Sequence, residues 1–294
     1  MLSNNFAWNQ AIIKDDNCLH NGIVLLLAFK QNRSPMPIGT GFIIEAYEDY
    51  AIGVTASHNF QGICDIQASP KKHHSAALSE FLYDGHILDL DRKKVRAVCF
   101  KNGKVEVPII AWAAYDKNLD VAFFSLIPQD KDAKSFFQYF FLLDDYSPKI
   151  GDEVAVLGLA QMTVPFEERD SNGNESLHLT EQLILRGGTI TNVHDEGHIL
   201  CRGPCVETSI PVFSGMSGGP VMIMGQPEDP IKPFGLVSSD LEHDEKTKND
   251  RSIPGSSIVA RLNPIIHFDA EGQRKTTLKL NSAFLNKNEN ELGK

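Results

Sequence analysis

The chain consists largely of short apolar or alternating runs, each stopped by Gly, Pro, Asn or Asp. That rhythm leaves little room for anything but an all-β fold. Ile23–Phe29, Gly39–Glu45 and Tyr50–Thr55 are predicted strands. Val95–Phe100 and Val105–Trp112 flank Asn102-Gly103, a strong hairpin signal. Val121–Leu126, Glu153–Leu159, Glu181–Val193, His198–Thr208, Pro220–Met224 and Phe234–Ser238 continue the series. Helical spacing is confined to Ser75–Tyr83 and to Lys134–Leu143, the second reading equally well as a linker. Strands lie on both sides of Gln129–Asp145, which predicts two packed antiparallel β-barrels. The first spans residues 20–128, a connector 129–145 and the second barrel 146–268, followed by a loose, polar, Asn- and Lys-rich tail over 269–294. A chain of 294 residues, 42% of them hydrophobic, is long enough to bury two such cores.

Charge removes other classes. A net charge of −10 and a pI near 5.5 argue against nucleic acid as partner, because phosphate contacts need clustered Lys and Arg. The longest apolar run, Ile23–Phe29, is far short of the roughly 20 residues of a membrane span, so no membrane partner is expected. Residues 1–8 carry neither a basic stretch nor an apolar one, so no secretory signal is read there. Five cysteines (Cys18, Cys64, Cys99, Cys201 and Cys205) are an odd number placed mostly inside apolar runs, which suits reduced thiols and a cytoplasmic location.

Three segments carry chemistry. In Phe213-Ser-Gly-Met-Ser-Gly-Gly-Pro-Val221 a serine sits between glycines that permit close backbone approach and unusual φ and ψ. Such a turn exposes a hydroxyl and can aim two amides, those of Gly215 and Ser217, at one developing oxyanion. Its plainer reading is a Gly-rich β turn. The second segment, Gly53-Val-Thr-Ala-Ser-His58, ends a strand in a histidine. Alone it would be structural, but it follows Gly39-Thr-Gly-Phe-Ile43 and precedes the serine turn. In the third, Asp116-Lys-Asn-Leu-Asp-Val-Ala-Phe-Phe-Ser-Leu126, Asp120 stands at the mouth of an apolar strand, where a carboxylate needs a partner such as a histidine N–H. Asp116, between Tyr115 and Lys117, reads as a solvated loop residue.

Thr55-Ala-Ser-His58, Asn118-Leu-Asp-Val-Ala122 and Gly215-Met-Ser-Gly-Gly-Pro220 resemble the signature segments of trypsin-like (chymotrypsin-fold) serine peptidases, closest to the bacterial disulfide-free HtrA/Deg-type branch. The likeness runs from about Gly22 to about His267. Gly39-Thr-Gly-Phe-Ile43, Gly151-Asp-Glu-Val-Ala-Val-Leu-Gly158 and Gly235-Leu-Val-Ser238 add secondary marks, and nothing after Ser238 resembles a PDZ module. The order His58, Asp120, Ser217 separates this pattern from α/β-hydrolases and subtilisins. The resemblance implies a serine endopeptidase acting on a protein or peptide substrate. Ser217 is then nucleophile, His58 base and Asp120 its orienting acid; the amides of Gly215 and Ser217 form the oxyanion hole, and no metal or organic cofactor is needed. It also implies an S1 wall of Pro211, Val212, Phe213, Ser238, Ser239 and Asp240, with either an apolar base at Pro211 that favours small or aliphatic side chains or an Asp240 at the rim that attracts a basic one. The alternative is a catalytically silent binding or regulatory module on the same fold.

Departures from the pattern matter. Met216 replaces the aspartate that pairs with a new N-terminus in activated secreted enzymes, so that route of activation is not expected. Ser57 replaces the commoner alanine, and Asn59 a frequent cysteine. A regulatory protein partner or narrow specificity is expected to restrain such an enzyme inside a cell. Outside these segments, His194, His198, Cys201 and Cys205 have zinc-ligand chemistry, but period-two alternation along one strand puts His198 and Cys201 on opposite faces. Buried thiols and surface histidines are therefore expected there. His73-His74 and the acidic Asp240–Asp250 run read as solvated loops.

Overall fold

The computed structural model describes residues 9–14, 17–29, 35–60, 86–88, 95–101, 104–129, 137, 139–163, 179–225, 232–240, 256–262, 266–268 and 274–276. Ser75–Tyr83, His73-His74, the Asn102-Gly103 turn and residues 241–250 lie outside this set. No helix among the described residues is long and apolar enough to cross a membrane.

Strands account for almost all regular structure. In chain order they are β1 (Asn9–Ile13), β2 (Ile23–Phe29), β3 (Pro35–Ala46), β4 (Ala51–Thr55), β5 (His86–Leu88), β6 (Val95–Lys101), β7 (Lys104–Glu106), β8 (Ile109–Asp116), β9 (Val121–Ile127), β10 (Glu153–Thr163), β11 (Thr180–His194), β12 (Cys205–Thr208), β13 (Pro220–Ile223), β14 (Pro233–Asp240), β15 (Ser257–Arg261), β16 (Ile266–Phe268) and β17 (Arg274–Thr276). A 3₁₀ turn, Cys18–Gly22, leads into β2, its start capped by the Asn17 side chain accepting from Leu19 N at 2.9 Å.

Two antiparallel systems result. The first is an eight-stranded sheet ordered β5-β8-β9-β4-β3-β2-β6-β7, open among the described residues. The second closes: β11-β10-β13-β14-β15-β12 returns to β11 and makes a six-stranded barrel, with β1 added along β11. The two-barrel expectation therefore takes the form of one closed barrel and one half-barrel. Five strands escaped the sequence pattern: β1, β5, β15, β16 and β17. Arg274–Thr276 lies within the stretch read as a loose tail, yet it pairs with Ile266–Phe268.

Period two explains why several strands are apolar on both faces. Ile23, Leu25 and Leu27 enter a layer shared by both sheets, whereas Val24, Leu26 and Ala28 fill the interior of the first. In β10, Ala155, Leu157 and Leu159 join the shared layer, whereas Val154, Val156 and Ala160 face the barrel interior. The connector forms neither helix nor strand over residues 139–149. Phe141 N donates to Ile43 O and Asp144 N to Pro233 O, both at 2.8 Å, which ties it to one sheet and then the other.

Candidate active site

Asp120 lies where the two sheets meet. Val121 pairs with Asp116 across β8 and β9, so residues 117–120 form a tight turn. Asp116 is buried rather than solvated as expected. Its Oδ1 accepts from Asn118 N at 2.8 Å and Leu119 N at 3.1 Å, which makes it the cap of this turn. Asp120 itself has φ +51°, a left-handed conformation that Asp tolerates better than most residues.

Strand β4 ends at Thr55, and residues 57–60 form a single helical turn. His58 Nδ1 lies 3.0 Å from Asp120 Oδ2 and 3.1 Å from Oδ1. The carboxylate also accepts from His58 N at 3.1 Å, from Ser57 Oγ at 2.9 Å and, across the sheets, from Ser238 Oγ at 2.5 Å. Burial alone would raise the Asp120 pKa. The His58 charge and the bonds from His58, Ser238 and Ser57 outweigh it and hold the carboxyl below its ordinary value. His58 moves the other way: desolvation lowers its pKa, but the Asp120 charge and hydrogen bond win and raise it above 6.5. The histidine side chain keeps 42% of its surface exposed, enough for a reactant to reach it.

The serine turn is held from the first sheet. Thr40 N donates to Ser217 O at 2.9 Å and Thr40 Oγ1 to Gly215 O at 2.7 Å. Asn59 Nδ2 donates to Ser217 O at 3.0 Å and to Thr55 Oγ1 at 2.9 Å. Gly218 has φ +85°, and a Cβ there would strike Thr55 Oγ1 and Thr40 O, so only glycine fits. Met216 N donates to Phe213 O, Gly218 N to Val237 O and Gly219 N to Met216 O. Among the described residues, the N–H groups of Gly215 and Ser217 make no such bond. Because a trans peptide opposes its C=O and N–H, turning Met216 O toward Gly219 N aims Ser217 N–H the other way. Ser217 Oγ makes no hydrogen bond to a described residue, His58 included.

Residues 39–223, more than half of the chain, match the trypsin-like peptidase domain. The chain belongs to that family. The protease domain of MamO from Magnetospirillum magneticum is similar at 11% identity, over 85% of this chain and 96% of that one, with TM-score 0.47. The protease Anisep from Arthrobacter nicotinovorans is similar at 12% identity, over 86% and 93%, with TM-score 0.45. Human heparin binding protein is similar at 11% identity, over 87% and 93%, with TM-score 0.45. No curated protein matches the chain in sequence.

Within this trypsin-like peptidase domain, the residues expected to line S1 divide. Pro211 and Phe213 are partly open, and the Arg186 guanidinium stacks 3.8 Å from the Phe213 ring centroid while also donating to Pro211 O. Val212 instead packs into the closed barrel, and the Ser238 hydroxyl donates to Asp120 Oδ2. Ser239 and Asp240 continue along β14. Met216 is fully buried in the barrel core, and its sulfur accepts from Phe213 N at 3.4 Å, so an apolar anchor stands at this position in place of a charged one. The sequence reading missed Thr40, Asn59 and Arg186 as supports of the site. Each is polar inside an apolar run or beside a motif, a signal that points to a buried partner without saying which one.

Proposed function

We propose that the chain is a serine endopeptidase in which Ser217 attacks a peptide carbonyl and His58 Nε2 takes its proton. The observation that carries this reading is the His58 ring bonded through Nδ1 to both oxygens of a buried, ionised Asp120, which leaves Nε2 as the nitrogen for chemistry. Asp120 fixes the tautomer and stabilises the imidazolium formed on proton transfer. The amides of Gly215 and Ser217 receive the oxyanion. Collapse expels the amine with the proton from His58 and leaves an acyl-enzyme on Ser217, which water then hydrolyses by the same route. Pro211, Phe213 and the backbone of β14 form the substrate wall.

A second reading, a catalytically silent binding or regulatory module, is favoured by one observation: Ser217 Oγ is not bonded to His58. Catalytic hydrogen bonds often tighten only once a substrate is bound, which favours the enzyme. Fluorophosphonate labelling separates the two. The enzyme labels at Ser217, and both Ser217→Ala and His58→Ala abolish the adduct. A folded chain that never labels is the silent module.

A further inference from the structure

At one end of the closed barrel, three polar side chains that the peptidase reading does not use converge. His194 ends β11, His198 opens the tight turn bridged to Cys201, and Glu207 lies on β12. Glu207 Oε1 is 3.2 Å from His194 Nε2 and 3.7 Å from His198 Nε2, and each of the three side chains is only about one-fifth exposed. All three ligand atoms fall within 4.8 Å of one another. His194 Nε2 is buried, yet it makes no hydrogen bond: Glu207 Oε1 is near but outside the donor direction of the ring. A buried nitrogen and a carboxylate that lie side by side without bonding each other suit a third body held by both.

The dimensions select that body. Ligands about 2.0–2.1 Å from a tetrahedral zinc ion stand about 3.4 Å apart, between the two separations observed. The cysteines that spacing had grouped with these histidines take no part. Cys201 Sγ points to Leu119 O at 3.7 Å and Gly203 O at 3.8 Å, and Cys205 Sγ to Cys201 O at 3.7 Å. The strand expected over His198–Thr208 is broken by the 198–201 turn. The turn frees His198 from the alternation and brings it beside His194, their ring centroids 5.0 Å apart.

We propose that His194, His198 and Glu207 form a divalent-cation site, with zinc the ion it fits best and water completing the shell. Ligation through Nε2 puts the His198 ring proton on Nδ1, so the long 3.3 Å contact from Leu200 N is given up on binding. A consequence for catalysis follows, resting on the peptidase reading. The same hairpin grips the turn before Asp120, with Gly203 N donating to Asn118 O at 2.5 Å and the Cys201 thiol to Leu119 O. An ion that ties the hairpin together braces the left-handed Asp120 and its hold on His58.

The test uses the full chain carrying Ser217→Ala, stripped with chelator and titrated with Zn²⁺ by calorimetry. One equivalent binds saturably. Glu207→Gln weakens binding at least tenfold, the His194→Ala/His198→Ala pair abolishes it, and Cys201→Ser/Cys205→Ser leaves it within about twofold. At a hundredfold excess over Kd the melting midpoint rises by about 4 °C. Circular dichroism of Glu207→Gln guards against misfolding. No saturable binding, or binding insensitive to Glu207→Gln and to the histidine pair, or loss in the cysteine variant, overturns the site. Amide exchange over residues 118–121 slows on loading if the brace operates; unchanged exchange overturns the brace alone. Neither readout depends on proteolysis, so a failure of the peptidase reading registers only in the labelling of Ser217.

Discussion

Replacing Thr40 by valine removes one hydroxyl from a fully buried side chain of similar volume and changes two hydrogen bonds at once. Thr40 Oγ1 accepts from Leu159 N at 3.0 Å and donates to Gly215 O at 2.7 Å, so it links β10 to the serine turn. In Thr40→Val the Leu159 N–H is stranded in the core, at a cost of about 1–3 kcal/mol, and the partly buried Gly215 carbonyl loses about 1 kcal/mol more. The variant should therefore be about 2–4 kcal/mol less stable, whereas Thr40→Ser, which keeps both bonds, loses only one buried methyl, about 1 kcal/mol. Urea unfolding on the Ser217→Ala background measures this without autolysis. With Ser217 restored, Thr40→Val should also slow fluorophosphonate labelling more than Thr40→Ser does, because the freed carbonyl no longer fixes the Gly215–Met216 peptide, which lies between the two amides proposed to receive the oxyanion. A Thr40→Val protein within about 0.5 kcal/mol of its parent and labelling at the parent rate would refute this account of how the turn is held.

Further outcomes follow from the same geometry. Asp120→Asn should cut kcat/KM by about 10⁴-fold. It should also move the acid limb of the pH profile down from a wild-type midpoint above 6.5, since the Asp120 charge is what raises His58. The two groups also set a stability window. Asp120, held low, contributes above its unfolded pKa of about 3.8 and loses that as pH falls through its folded value. His58, held high, contributes below 6.5 and loses it as pH rises through its folded value. A denaturation midpoint that rises steadily with pH across both ranges would contradict this. Gly218→Ala should destabilise far more than Gly151→Ala: both glycines have positive φ, but only Gly218 has Thr55 and Thr40 where a Cβ would go, and thermal melts compare them directly. Met216→Ala should cost about 2–5 kcal/mol by emptying a fully buried site behind the serine turn, read by urea unfolding.

What the sequence settled by itself was local. Runs such as Ile23–Phe29 are strands because β-branched and apolar residues suit a pleated surface. The Gly-Met-Ser-Gly-Gly segment is a tight turn because only glycine adopts the φ found at Gly215 and Gly218. His58, Asp120 and Ser217 stand out as candidates for the same reason, each embedded in a short segment whose conformation its neighbours dictate. Tertiary structure decided what those residues touch. The donors to Asp120 come from Ser57 and His58, on the helical turn that follows β4 of the first sheet, and from Ser238 on β14 of the second, a meeting set by how the sheets pack. Sequence puts Asp116 in solvent and is silent on the bond from the Ser238 hydroxyl to Asp120, because local pattern cannot say which side chain a distant strand will present. The short strands β1, β5, β15, β16 and β17 were missed because their pairing comes from distant strands or from the chain end, rather than from strong propensity within the run. At the end of β11, spacing suggested histidines grouped with cysteines. A four-residue turn and the β11–β12 register gave them Glu207 instead, because sheet closure over long sequence distance, rather than adjacency, chooses partners.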